Sequence, residues 1–146
     1  MKKLAIVLLL VAAACRRQAT AGSPPVASAG AATPRDAVVG FMAAAKVQDL
    51  QAMALLWGTT NGPALSTMDK ESRDQREIIM MCYLKHDTYR VLSEAPSTNT
   101  ERVLAVEVTY KGLTRSTNFY ATGGPAGRWF VRTFDLEPLR DLCATK

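Results

Sequence analysis

From residue 33 onward the apolar positions first recur at helical spacing and later alternate as in strands. Thr33-Pro34-Arg35-Asp36 reads as a helix start. Thr33 supplies an N-cap oxygen, Pro34 suits the first turn, and Asp36 holds the capping-box position. Val38, Phe41, Met42 and Ala45 then follow at helical spacing. Asp49 opens a second, shorter helix carrying Leu50, Met53, Leu56 and Trp57, which Gly58 ends. A loop is expected over 59–63. Ser66-x-x-Asp69 opens a third helix whose first half is charged (DKESRDQRE) and whose second half is apolar (IIMMCYL). The charged half is expected in solvent, with Asp69 and Glu71 at the positive end of the helix dipole. Ile78, Met81, Cys82 and Leu84 are expected in the core, and Met80, Met81 and Tyr83 read as packing residues.

After His86 the period falls to two. Strands are expected over 88–92, 102–110, 113–121 and 128–136. In the second, Leu104, Val106, Val108 and Tyr110 alternate with Val103, Ala105, Glu107 and Thr109. In the fourth, Trp129, Val131 and Thr133 form one face and Phe130, Arg132 and Phe134 the other. Lys111-Gly112 and the run TGGPAG over 122–127 read as turns, and Pro138 as a stop. Helices first and a meander afterwards imply an α+β fold, with N-terminal helices packed on one face of a curved antiparallel sheet of about four strands.

The start of the chain has a different pattern. Met1-Lys2-Lys3 is basic, and Leu4 to Ala14 (LAIVLLLVAAA) is unbroken apolar sequence. A membrane-spanning helix needs about 20 residues; this run has the length and flanks of a leader's apolar region. Ala12, Ala13 and Ala14 then meet Cys15. That junction resembles the lipobox of bacterial lipoproteins, in which small residues precede a Cys that is acylated and becomes the new N-terminus. It departs from the common pattern at Ala12, where Leu is usual. The other reading is ordinary cleavage after Ala12-x-Ala14, with Cys15 a free thiol. The lipoprotein resemblance implies a leader over 1–14, an acylated Cys15, and membrane attachment through more than one acyl chain. Arg16 stands where an Asp tends to retain such proteins at the inner membrane, so the outer membrane, facing the periplasm, is the expected address.

Residues 16–33 (RRQATAGSPPVASAGAAT) are dominated by Ala, Gly, Ser, Pro and Thr. Such a stretch buries too little surface to offset its ordering entropy, so 15–33 is expected to be a flexible tether and 34–146 the folded domain. This division changes the meaning of the charge. The whole chain of 146 residues carries 18 Lys+Arg against 13 Asp+Glu, a net +5. Without Lys2 and Lys3 the balance is 16 to 13, and without Arg16 and Arg17 it is 14 to 13. The basic excess lies in the leader and tether, and no nucleic-acid partner is implied.

The element order resembles the nuclear-transport-factor-2-like superfamily, the cystatin-like cone fold. The resemblance rests on the T-P-R-D-A-V start, the V-Q-D-L-Q-A-M-A-L-L-W segment that follows, and Gly127-Arg128-Trp129-Phe130-Val131 as the last strand. It covers about 33–136. That superfamily holds isomerases, dehydratases, polyketide cyclases, ligand binders and interaction modules, so the fold alone does not choose among them. Its enzymes place Asp, His, Tyr or Arg inside the cone.

Candidate chemistry is sparse. No nucleotide-loop, dinucleotide, Ser-hydrolase elbow or H-E-x-x-H signature occurs, and one His with three Cys makes a poor zinc set. No metal or cofactor is implied and no catalytic residue is assigned. Cys82 and Cys143 are the natural disulfide pair of an exported chain once Cys15 is acylated, the alternative being two separate thiols. His86 beside Asp87 hints at acid–base chemistry. The plainer expectation is a surface His at a helix C-terminus. Tyr110, Asn118, Tyr120, Trp129 and Arg132 are candidates for the mouth of a cone, suited to a small apolar ligand. The leading expectation is a lipid-anchored envelope protein with a non-catalytic module that binds a ligand or an envelope protein partner. The alternative is a cone-fold enzyme or small-molecule carrier of the isomerase, dehydratase or cyclase type.

Overall fold

The computed structural model describes residues 28–145. The leader, Cys15 and most of the tether lie outside the described residues. The fold is α+β. Helix α1 (Pro34–Lys46) starts as the sequence implies: the Thr33 hydroxyl accepts from the Asp36 amide at 3.1 Å. Ala37, Val38, Phe41, Met42, Ala44 and Ala45 are its buried face. Helix α2 (Leu50–Leu56) is capped by Asp49, whose carboxylate accepts from the Ala52 amide at 3.0 Å. Trp57 then leaves the helix in extended conformation.

The expected loop is a minimal hairpin of β1 (Gly58–Thr59) and β2 (Gly62–Pro63). The expected third helix is two helices. Helix α3 (Ala64–Thr67) ends where Met68 turns extended, and α4 (Lys70–Tyr83) begins afresh behind Asp69, which accepts from the Ser72 amide at 2.9 Å. Helix α4 also corrects the reading of its faces. Residues four apart share a helix face, so Arg73 and Glu77 follow one line toward Leu84. Arg73 and Glu77 are buried, whereas Ile78 and Ile79 are more than half exposed. The phase of the helix overrides the hydropathy of its two halves.

Strands β3 (Thr88–Pro96), β4 (Glu101–Tyr110), β5 (Leu113–Gly123) and β6 (Trp129–Phe134) form one antiparallel sheet in sequence order. The tight turn at Lys111-Gly112 places both residues at positive φ, 47° and 80°, which Gly112 tolerates without strain. Leu104, Val106, Val108, Phe119 and Ala121 face the helices and are fully buried. Beneath α1 and α2 they meet Phe41, Met42 and Met53 in one cluster. A Phe or Met side chain so buried contributes about 2–3 kcal/mol.

Several features differ from the sequence reading: β3 runs on to Pro96 where a strand over 88–92 is expected, and β6 is shorter than the expected 128–136. The strict alternation expected in the fourth strand breaks, because the register shifts between Tyr120 and Ala121 and leaves Arg132 as an extra residue. Val131 and Phe134 therefore both reach the core, and the Phe134 ring stacks on Phe119 at 5.1 Å. Nor is the chain before Thr33 free of the domain. Ala31 is buried and bridges Trp129, the Gly30 amide donates to the Leu55 carbonyl, and Arg128 donates to the carbonyls of Ala29 and Gly30. The last residues of the expected tether belong to the fold.

Strand β6 ends at Phe134, ahead of the stop expected at Pro138. A 3-10 turn over Glu137–Leu139 leads into α5 (Arg140–Ala144), which buries Leu142 fully as the turn buries Leu139. The Cys82–Cys143 disulfide pins α5 to the end of α4 across 61 residues of sequence.

Two expectations follow. A Cβ on Gly58 would lie 2.4 Å from the Gly62 carbonyl oxygen, whereas one on Gly123 would meet nothing closer than 3.7 Å. Gly58→Ala should lower stability by about 2 kcal/mol in denaturant unfolding, and Gly123→Ala by clearly less. Opening the disulfide frees a long loop in the unfolded chain, so Cys82→Ser should lose about 4 kcal/mol. It should also abolish the mobility difference between reducing and non-reducing gels.

Candidate functional site

Two clefts flank α4. The first, about 420 Å³, opens between the C-terminal ends of α1 and α4 and the turn end of β4. Ala45, Ile78, Met81 and Leu84 form its apolar wall, with Cys82 of the disulfide beside them. Lys46, Gln48, Lys85, His86 and Tyr110 supply its polar atoms. The second, about 310 Å³, lies between α4 and β6, where Trp57, Ile79, Met80, Phe134 and Leu136 are edged by Arg76, Arg132 and Thr133.

Local structure explains the polar wall of the first cleft. Helix α1 ends at Lys46, and Gln48 adopts a left-handed backbone with φ 59° to turn the chain into α2. The Lys46 ammonium reaches across the cleft's edge and donates to the Asp87 carbonyl at 2.7 Å. Lys85 donates to the Thr145 carbonyl at 3.4 Å. Lys111 places its ammonium 5.5 Å from the centre of the Tyr110 ring.

His86 corrects the surface expectation: it is only 6% exposed. Its Nδ1–H donates to the Leu84 carbonyl at 2.7 Å, and its ring meets the Tyr89 ring edge-on at 5.3 Å. Burial pushes its pKa below the usual imidazole value, against the opposing pull of the Leu84 bond. The ring is therefore neutral at pH 7, with Nε2 a lone-pair acceptor that is buried and has no partner. Asp87 does not join it. The Asp87 carboxylate turns to accept from the Lys111 amide at 2.7 Å, so the neighbouring pair is not an acid–base couple.

The five candidate mouth residues do not converge. Tyr110 lines the first cleft and Arg132 the second. Asn118 and Tyr120 pair with Ala105 and Val103 on the sheet face away from the core, where both donate to the Asp135 carboxylate. Arg132 stacks its guanidinium 5.6 Å over Tyr120 and pairs with Glu101 at 2.6 Å. Trp129 is bound to Ala31 at the far end of the sheet, with Arg102 5.9 Å from its ring. The length of β5 separates the Leu113 partner of Tyr110 from the Gly123 partner of Trp129, about 33 Å at strand rise. Alternation in sequence puts residues on a face; it does not bring them to one end.

Sequence reasoning missed Glu77. It is fully buried, and both carboxylate oxygens lack a hydrogen-bond partner. Arg73, one turn earlier, spends its guanidinium on the Leu65 carbonyl and on Asp74. Burial raises the Glu77 pKa to about 7, Arg73 opposing and Asp74 reinforcing the shift. The signal was the i, i+4 line from Arg73 to Leu84, hidden by the charged composition around it. Among the described residues, no group of three or more His, Cys, Asp or Glu comes together. No protein family, curated protein or solved structure matches the chain.

Glu77 gives the fold a pH dependence of defined sign. A carboxyl whose folded pKa is raised binds its proton more tightly when folded. Its contribution is complete below about 4.5 and is lost as pH rises through about 7. Glu77→Gln should therefore raise stability at pH 8 by about 2–3 kcal/mol. It should also flatten the fall in stability between pH 5 and 8, as read by denaturant unfolding across that range.

Proposed function

We propose that this protein is a lipid-anchored component of the bacterial cell envelope, acylated at Cys15, whose α+β domain is a non-catalytic binding module of nuclear-transport-factor-2-like type. The observation that carries the reading is the junction at Cys15: an eleven-residue apolar run from Leu4 to Ala14, three small residues, a cysteine, and then an Ala/Gly/Ser/Pro-rich tether. The Cys82–Cys143 disulfide supports export, because such bonds persist in oxidising compartments. Arg16 after the cysteine favours the outer membrane over the inner.

The fold supports binding at its periphery rather than in a central cone. An enzyme or carrier of the isomerase, dehydratase or cyclase type requires space between sheet and helices. That space is filled by Phe41, Met42, Met53, Leu104 and Phe119, all with no exposed surface. Small molecules are accommodated instead at the two clefts beside α4.

The test is mass spectrometry of the membrane fraction of a producing cell. The expected product is an N-terminal peptide that begins at Cys15 and carries acyl chains, absent from a Cys15→Ala variant. A soluble, unacylated protein beginning at residue 15 or elsewhere overturns the anchor.

A further inference from the structure

The first cleft has an uneven chemistry. Its wall contains two lysines and no Asp or Glu. Each lysine ammonium has three N–H donors, and the bonds described for each go to a single backbone carbonyl. Both therefore retain donors for an occupant. The C-terminal ends of α1 and α4 bring partial negative charge there, about half a unit each at most. The two ammonium groups outweigh that. The carboxylate of Asp87 is held by the Lys111 amide rather than by either lysine of the wall.

The rest of the wall is apolar. Ile78, 55% exposed, supplies open apolar surface there beside the partly buried Met81. An apolar wall with polar groups at one side is the general form of a small-ligand site, and about 420 Å³ is within the usual range for one.

We propose that this cleft binds a small anionic amphiphile: a carboxylate or phosphate head held by Lys46 and Lys85, with an alkyl or similarly apolar body against Ile78 and Met81. The shared chemistry is an anionic head on an apolar chain, whether the molecule is free in solution or part of a lipid. The proposal deepens the binding role given above and is independent of the anchor, since the soluble anions read it without a membrane. Acylation can fail while the cleft binds, and the reverse.

The experiment titrates the 15N-labelled full chain with octanoate, octyl phosphate, octanol and octylamine, and separately with phosphatidylglycerol vesicles. Octanoate and octyl phosphate should shift amide resonances of 45–48, 78–86 and 110, at concentrations at least tenfold below those needed for octanol or octylamine. Lys85→Gln should weaken both anions about tenfold. Ile78→Glu alters a largely exposed side chain, so it should leave the fold intact while setting a carboxylate at the cleft and abolishing anion binding. Equal binding of octanol and octanoate, shifts that map elsewhere, an unaffected Ile78→Glu, or binding to vesicles but not to the soluble anions would each overturn the proposal.

Discussion

The free edge of β6 is the constraint on which the architecture turns. Strands β4 and β5 are paired on both sides, β3 forms one outer edge, and β6 ends the meander with its other side open. Unpaired backbone groups at a sheet edge are costly when buried and adhesive when exposed. Two distant segments close this edge. Ala31 exchanges hydrogen bonds with Trp129, and Trp57 bridges Val131 in parallel while its indole donates to the Arg132 carbonyl at 3.2 Å. Those single bridges set where α1 begins, where α2 must stop, and why Trp57 is extended rather than helical. With both helices fixed from the β6 side, their apolar faces fall on Phe119, Ala121 and Val131.

Helix α4 packs on the other helices rather than on the sheet, and the chemistry of the molecule gathers around it. One line of its surface enters the core carrying Arg73 and Glu77, while Ile78 and Ile79 look outward into the two clefts. A buried carboxylate without donors is tolerated because it can hold its proton. Near neutrality it is therefore a group whose charge depends on its surroundings. The disulfide at Cys82 compensates by binding the end of α4 to α5. Polarity inside and aliphatic surface outside are two aspects of one helical phase.

Much of this was legible in the sequence. The caps at Thr33 and Asp49, the antiparallel meander, the Lys111-Gly112 turn and the helices-then-sheet order follow from local chemistry that short segments declare by themselves, whereas the Ser66-x-x-Asp69 start hid the fresh helix that Asp69 caps. The pairing of Cys82 with Cys143 could be read once Cys15 was set aside. The unread features depend on tertiary packing. Arg132 as a bulge depends on the β5 register, and Ala31 as part of the sheet depends on an edge that composition does not announce. His86 is buried because Tyr89 and Leu84 close around it, although the helix terminus before it suggested solvent. The five aromatic and polar residues proposed for one pocket were each placed correctly on strands. Distance along β5 and alternation across the sheet keep them apart.

The attachment of Ala29 to Ala31 along β6 has a mechanical consequence. Any tension on the chain ahead of Ser28 reaches the domain first through Arg128, whose guanidinium grips Ser28, Ala29 and Gly30, and through the Ala31–Trp129 pair. These bonds form a strain relief: they load the stiff β6 margin before the force can be felt at the Thr33 cap and the first turn of α1. A domain hung from its N-terminal side would thus carry its load first on the margin of the sheet, ahead of the helices and both clefts.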